Sequence, residues 1–250
     1  MRYFGLVSYR GTDYAGFQKQ ANGKTIQGVM EETISFLLGK PTTIRASGRT
    51  DAKVHALRQP FTFDCPKMDD TAHFLYALNR LLPPDIYVFS LKEVDGAFDV
   101  RRDALSKTYA YRFSIYRRNP VLTDLVSQLN RDDFSLPLFN RALPLFKGTF
   151  DFRNFTTKPT DPKGFVRTVY SIDSSYEEST DTVEVVVKGD GFMRYQVRFM
   201  IGGAISVGLK RLTLEELSSR LHPDGKRKIV PYKASPEGLY LVEVDYDAEI

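Results

Sequence analysis

Cysteine is nearly absent from this 250-residue chain: Cys65 stands alone, which excludes an intramolecular disulfide and any zinc site built on cysteine pairs and fits a reducing compartment. Tryptophan is missing altogether, and no run approaches 18 consecutive apolar residues, so a membrane-spanning helix is not expected. The first ten residues, Met-Arg-Tyr-Phe-Gly-Leu-Val-Ser-Tyr-Arg, lack the apolar stretch and small-residue cleavage site of a secretory leader. The expectation is a soluble, cytoplasmic protein. Histidine is scarce as well, and His55, His73 and His222 are too dispersed to suggest a ligand cluster. Glycine-rich phosphate loops are lacking, so no nucleotide cofactor is expected, and neither is a metal.

What the chain does carry is a foldable composition. Hydrophobic residues make up 42% of it, enough for a substantial core, and 35 Lys and Arg against 31 Asp and Glu leave a net charge of +4. That mild excess suits a localised basic face rather than a basic tail. Alternating residues 3 to 9 predict a strand. Thr25 as N-cap, apolar residues Ile26, Val29, Met30, Ile34 and Leu37 at helical spacing, and Gly39 as the stop predict a helix. Strands follow near 42 to 46 and 59 to 64, then a helix from Asp70 to Leu81, the Pro83-Pro84 break, and a strand from Ile86 to Val94. Downstream, the pattern predicts strands at 107 to 116, 165 to 175, 182 to 188 and 239 to 245, with helices around Leu136 to Phe146, 195 to 208 and 213 to 221.

Both halves therefore read as α+β, with mainly antiparallel sheets covered by helices. The expected organisation is two such halves, residues 1–104 and 105–250, with a cleft running between them.

The segment Ala46-Ser47-Gly48-Arg49-Thr50-Asp51-Ala52 falls between predicted strands, where polar side chains escape the ladder and Gly48 relaxes the backbone. Asp51 there suits a nucleophile, a general base, a metal ligand or a cap. Arg49, two residues earlier, would keep the carboxylate ionised, as a nucleophile requires, but a structural ion pair has the same sequence. The residues alone leave both readings open.

Seven ordered blocks then add a resemblance to the TruA-type tRNA pseudouridine synthases. Gly48-Arg49-Thr50-Asp51-Ala52-Lys53-Val54-His55-Ala56 is similar to the family's G-R-T-D-A-G-V-H-A, Tyr9 to Gln18 to its Y-D-G-T-x-Y-x-G-x-Q, and Thr25 to Glu31 to its T-V-Q-x-x-L-E. Leu78 to Ile86, Lys107 to Tyr111, Gly191-Phe192-Met193 with Val197-Arg198, and Pro236 to Leu241 match further blocks in the family's order. The resemblance implies an isomerase turning uridine into pseudouridine in tRNA, at positions 38 to 40 of the anticodon stem-loop, as a homodimer without cofactor, built of two ferredoxin-like or RRM-like halves joined around a central RNA-binding cleft, the first carrying the catalytic Asp loop and the second completing the uridine pocket. Asp51 takes the nucleophile's position and Tyr109 that of the tyrosine packed against the target base. Arg198 matches the arginine that pairs with the catalytic Asp, Arg49 the one that enters the RNA, and Leu239 an apolar residue of the uracil pocket.

Departures occur at Lys53 and Arg58, where the family has glycine, at Asp99, where it has histidine, and at Arg10 and Phe199. They leave open a paralogue modifying another uridine in tRNA or rRNA. A catalytically silent RNA binder and a metal-dependent nuclease using Asp51 with Asp13 or Asp64 are the rivals from other classes. Basic residues interleaved with aromatics at Arg112, Tyr116, Arg117 and Arg118, and at Phe192, Arg194, Tyr195 and Arg198, suit phosphate contacts. Lys226-Arg227-Lys228 reads as an exposed loop.

Overall fold

A computed structural model describes residues 1–247, which divide into two compact units: residues 1–105 with 240–247, and residues 106–239. In the first unit, β1 (Arg2–Tyr9) leads through a long loop to α1 (Ile26–Leu38), then β2 (Ile44–Ala46), β3 (His55–Asp64), α2 (Thr71–Leu81) and β4 (Ile86–Val94). Helix α1 forms where the spacing predicts. Thr25 caps it by accepting from the Gly28 amide at 3.2 Å, and Ile26, Met30 and Ile34, one helical turn apart, are buried. Each such side chain stabilises the fold by roughly 1.5 to 3 kcal/mol. Asp70 caps α2 in the same manner, accepting from the His73 amide at 2.8 Å.

Strand β1 lies antiparallel to both β3 and β4, and β2 pairs antiparallel with the far end of β3. Strand β3 begins at His55, four residues earlier than predicted, because Val54, His55 and Ala56 leave the reactive loop already extended. Opposite Ser8 it accommodates an extra residue, since Val7 faces Gln59 while Tyr9 faces Ala56. That β-bulge leaves Leu57 and Arg58 exposed.

The second unit holds β5 (Ser106–Ser114), the two-residue β6 (Ser127–Gln128), α3 (Leu136–Ala142), β7 (Gly148–Asp151), β8 (Val166–Glu177), β9 (Thr182–Gly189), α4 (Gln196–Gly208) and α5 (Leu214–Ser219). Its sheet runs β5-β9-β8-β7, each neighbour antiparallel. The helix expected through Phe146 stops at Ala142 and tightens into a 3₁₀ turn over Leu143–Phe146. Pro144 explains this, since it lacks an amide hydrogen and its ring opposes continuation of the α-helix. Helix α4 is buried on every side, as its nearly uncharged sequence requires. The last strand, β10 (Leu239–Asp245), was counted with the second half by sequence. From Tyr240 onward it clusters with the first unit, pairing parallel to β3 through Tyr240 with His55 and Leu241 with Ala56. Among the described residues, no helix is long and apolar enough to cross a membrane.

Candidate active site

The loop bearing Asp51 connects β2 to β3 and is fixed by the loop that follows β1. The Tyr9 hydroxyl hydrogen-bonds Thr50 Oγ1 at 2.8 Å, and the Phe17 amide donates to the Thr50 carbonyl at 3.1 Å. The Lys53 amide donates to the Tyr14 carbonyl at 3.3 Å, and the Gly11 amide to His55 Nδ1 at 3.1 Å. Within the loop, the Val54 amide closes a turn on the Asp51 carbonyl at 3.2 Å. Two glycines permit this approach. A Cβ on Gly11 would stand 2.0 Å from the Val54 carbonyl oxygen, and Gly16, at φ 106°, lies against the backbone of Thr50, Asp51 and Ala52.

Further bonds anchor the clamp. Tyr14 donates its hydroxyl to Asp85 at 2.8 Å, and Arg10 its amide to the Asp85 carbonyl at 2.9 Å. Burial, and then the Asp85 carboxylate, push the Tyr14 phenol well above its ordinary range, so it remains a donor. Gln59, fully buried, donates to the Gly48 and Pro60 carbonyls. Buried Glu31 accepts from the Ile44 amide at 3.1 Å and the Gln27 side chain at 2.8 Å, tying α1 to the start of β2. His55, which could have suggested acid–base chemistry, accepts through Nδ1 and stacks on Tyr240 with ring centroids 4.7 Å apart. Its place is structural.

Asp51 itself is half-buried, and Arg49 is exposed. Among the described residues Arg49 forms no ion pair; its side chain instead lines a concavity of about 270 Å³ together with Gly48, Arg45 and Arg101. Lys53 adopts a left-handed backbone, φ 66°, which accounts for glycine in the corresponding family position. Arg58, the other glycine replacement, sits in the β3 bulge. Asp99 accepts both the Arg101 and Arg102 amides at 2.9 Å, and those two bonds hold its carboxyl below the usual range.

In the second unit, Tyr109 lies on β5 opposite Val187, half-buried, with its ring edge-on to Phe192 at 5.4 Å. Arg198 is buried on α4, and its Nε donates to the Ala234 carbonyl at 2.7 Å while the Ala234 amide returns a bond to the Arg198 carbonyl. Tyr195, left-handed at φ 66°, carries three cations near its ring: Lys233 at 4.0 Å, Arg194 at 4.6 Å and Arg198 at 5.4 Å. Leu239 is buried at the start of β10. Lys233 was not legible as part of this group, because it lies far along the chain from Tyr195. Arg227 corrects the reading of an exposed basic loop: its guanidinium donates to the Arg153, Thr156 and Lys158 carbonyls and lies 5.8 Å from the Phe165 ring.

The nuclease alternative finds no support in the donor set. Asp64 accepts from Nε and Nη2 of Arg2, at 2.9 and 3.0 Å, at the opposite end of ten-residue β3 from the Asp51 loop. Asp13 faces Arg10 at 3.6 Å. No grouping of three or more His, Cys, Asp or Glu able to hold a metal occurs among the described residues.

A family model described as tRNA pseudouridine synthase matches residues 6–102 and 142–247, which gives the class: an isomerase that modifies tRNA. The chain belongs to the tRNA pseudouridine synthase family. It is 33% identical over 248 residues to tRNA pseudouridine synthase A of Streptococcus gordonii, covering 98% of this chain and 99% of that protein. A Staphylococcus aureus (strain MSSA476) protein of the same name is 34% identical, covering 99% of this chain and 91% of its own. Among solved structures, the archaeal box H/ACA sRNP Nop10-Cbf5 complex aligns with 94% of this chain and 58% of its own at 14% identity, with a TM-score of 0.39 too low to bear on function.

Proposed function

We propose that this chain converts uridine to pseudouridine in the anticodon stem-loop of tRNA, at positions 38 to 40, with Asp51 as covalent nucleophile. The observation that carries the proposal is the clamp on residues 48–54, which fixes the Asp51 backbone from the β1 loop while leaving its side chain partly accessible. A nucleophile held in place before substrate arrives needs little reorganisation when it attacks. Asp51 attacks ribose C1′ as the bond from C1′ to uracil N1 breaks, and the carboxylate leaves C1′ again when uracil C5 bonds to it. The C5 hydrogen leaves as a proton and N1 gains one, so neither oxidant nor cofactor is required. Tyr109 packs against the base and takes up a proton, Arg198 keeps the Asp51 carboxylate ionised, Arg49 enters the RNA to displace the base, and Leu239 provides an apolar wall. The enzyme acts as a cytoplasmic homodimer. We also read the first unit, β-α-β-β-α-β with strand order β4-β1-β3-β2, as a ferredoxin-like arrangement.

Release of tritium from tRNA labelled at uracil C5 tests the assignment. The native protein is expected to release it and Asp51→Ala to release none. Equal release by both would refute the nucleophile, and binding without release by the native protein would favour the silent RNA binder. Mapping the product would separate positions 38 to 40 from any other uridine.

A further inference from the structure

The concavity beside Gly48 and Arg49 is built from separate parts of the first unit: Arg45 on β2, Arg49 on the reactive loop, and Arg101 in the turn after β4. All three side chains are exposed, and among the described residues none of the three guanidinium groups makes an ion pair or a hydrogen bond. By contrast, Arg2, Arg102, Arg112, Arg131, Arg153 and Arg167 each hold a carboxylate. Of the acids near the cluster, Asp64 is bonded to Arg2, buried Glu31 to the Ile44 amide, Gln27 and Lys19, and Asp99, which lines the concavity, spends Oδ1 on the Arg101 and Arg102 amides. Asp99 thereby fixes the turn that presents Arg101. Gln18 adds an exposed amide at the rim. Three fork-shaped cations converging without a partner suit an anion with several acceptor oxygens, and a concavity of about 270 Å³ admits one phosphodiester with part of its sugar.

We propose that Arg45 and Arg101 are substrate-positioning residues which, with Arg49, form a notch for one backbone phosphate of the tRNA. This rests on the reading of tRNA as substrate. The notch would fix the register of the RNA relative to the Asp51 loop, since phosphate contacts set orientation without reading sequence. Asp99, standing where the family pattern has histidine, places a carboxylate in the lining of this notch.

The test uses Arg45→Gln, Arg101→Gln and Arg101→Lys in the full-length protein, with thermal unfolding to verify the fold. tRNA binding is measured across a potassium chloride series, and tritium release gives kcat and KM. Each Gln variant is expected to lower the slope of log affinity against log salt by about 0.7 to 0.9, the release of one condensed counterion. KM should rise on the order of tenfold, as for loss of one charged hydrogen bond, with kcat unchanged. Arg101→Lys should retain the native slope, because an ammonium displaces the same counterion. A packing role would not move the salt slope. Unchanged slopes and KM in both Gln variants would overturn the notch while leaving the catalytic proposal standing. A native protein that binds tRNA but releases no tritium would defeat the catalytic proposal alone, with the slopes still deciding the notch; one that bound no tRNA would overturn both.

Discussion

Replacing Lys53 by glycine should stabilise the protein. Lys53 occupies a left-handed backbone conformation, φ 66°, two residues after Asp51, and its amide is committed to the Tyr14 carbonyl, so the turn cannot relax without loosening the clamp. A side chain there costs roughly 1 to 2 kcal/mol through the clash of Cβ with the following carbonyl. Glycine removes that cost but gives the unfolded chain more freedom, which offsets roughly 0.4 to 1 kcal/mol. A net gain of about 0.5 to 1 kcal/mol remains, or a Tm higher by about 1 to 4 °C for a chain of this size. Lys53→Ala is the necessary comparison, because it removes the exposed charge and keeps the Cβ. Thermal unfolding of the native protein and both variants should place Lys53→Gly highest, with Lys53→Ala at or below the native value. A Lys53→Ala protein as stable as Lys53→Gly would refute the backbone argument and assign the effect to charge. Any change in KM for tRNA common to both variants would measure the charge beside the Asp51 loop.

Three further outcomes follow, two from the clamp and its supports and one from the second unit. Gly11→Ala forces a Cβ toward the Val54 carbonyl, 2.0 Å away in the present geometry, and should cost about 1 to 3 kcal/mol or more by denaturant unfolding; a cost under about 0.5 kcal/mol would mean that the loop yields easily. Glu31→Ala strands the Ile44 amide and the Gln27 side chain and should cost about 2 to 3 kcal/mol, while Glu31→Gln, which keeps an acceptor, should recover most of it; equal losses would point to the Lys19 ion pair instead. Asp161, half-buried and bonded to Lys158 and Arg167 at 3.1 Å each, is pushed up by desolvation but more than compensated by the Lys163 amide and the two cations, so its carboxyl titrates below the ordinary value of about 3.9. A depressed value means that its stabilising contribution is complete above about pH 4 and is lost as pH falls through the folded value. Melting curves at pH 5 and pH 3 should show Asp161→Asn losing less stability on acidification than the native protein, and parallel losses would contradict this.

Long periodic elements were legible in the sequence because burial repeats every turn or every second residue: α1, α2, β1 and β4 lie within a residue or two of their expected bounds. The misses have physical causes. Strand β3 begins early because His55 and Ala56 serve at once as loop and as ladder, and periodicity does not separate those duties. Strands β6 and β7, of two and four residues, are too short to show alternation. Pro144 ended α3 by backbone geometry that the apolar spacing did not reveal. Arg227 looked like one of three exposed charges, yet its partners are backbone carbonyls more than 60 positions away, and carbonyls leave no trace in composition.

The reactive loop was legible as a motif, but not the reason for its companions. Tyr9, Gly11, Tyr14 and Gly16 read as a spaced signature; in the structure Tyr9 bonds Thr50, Gly11 makes room for Val54, Tyr14 joins Lys53 to Asp85, and Gly16 admits the backbone of Thr50 to Ala52. Gln27 and Glu31 hold the strand that enters the loop, and Asp85 supports the tyrosine that closes it. Four blocks scattered over residues 9 to 86 are thus one object, whose product is a fixed Asp51 backbone. The departures fit the same logic. Lys53 and Arg58 replace glycine where the backbone is left-handed or bulged and the side chain points to solvent, so the chain tolerates local strain without moving Asp51. Substitutions at Gly11 or Gly16 meet backbone instead of solvent, and there the geometry leaves no comparable freedom.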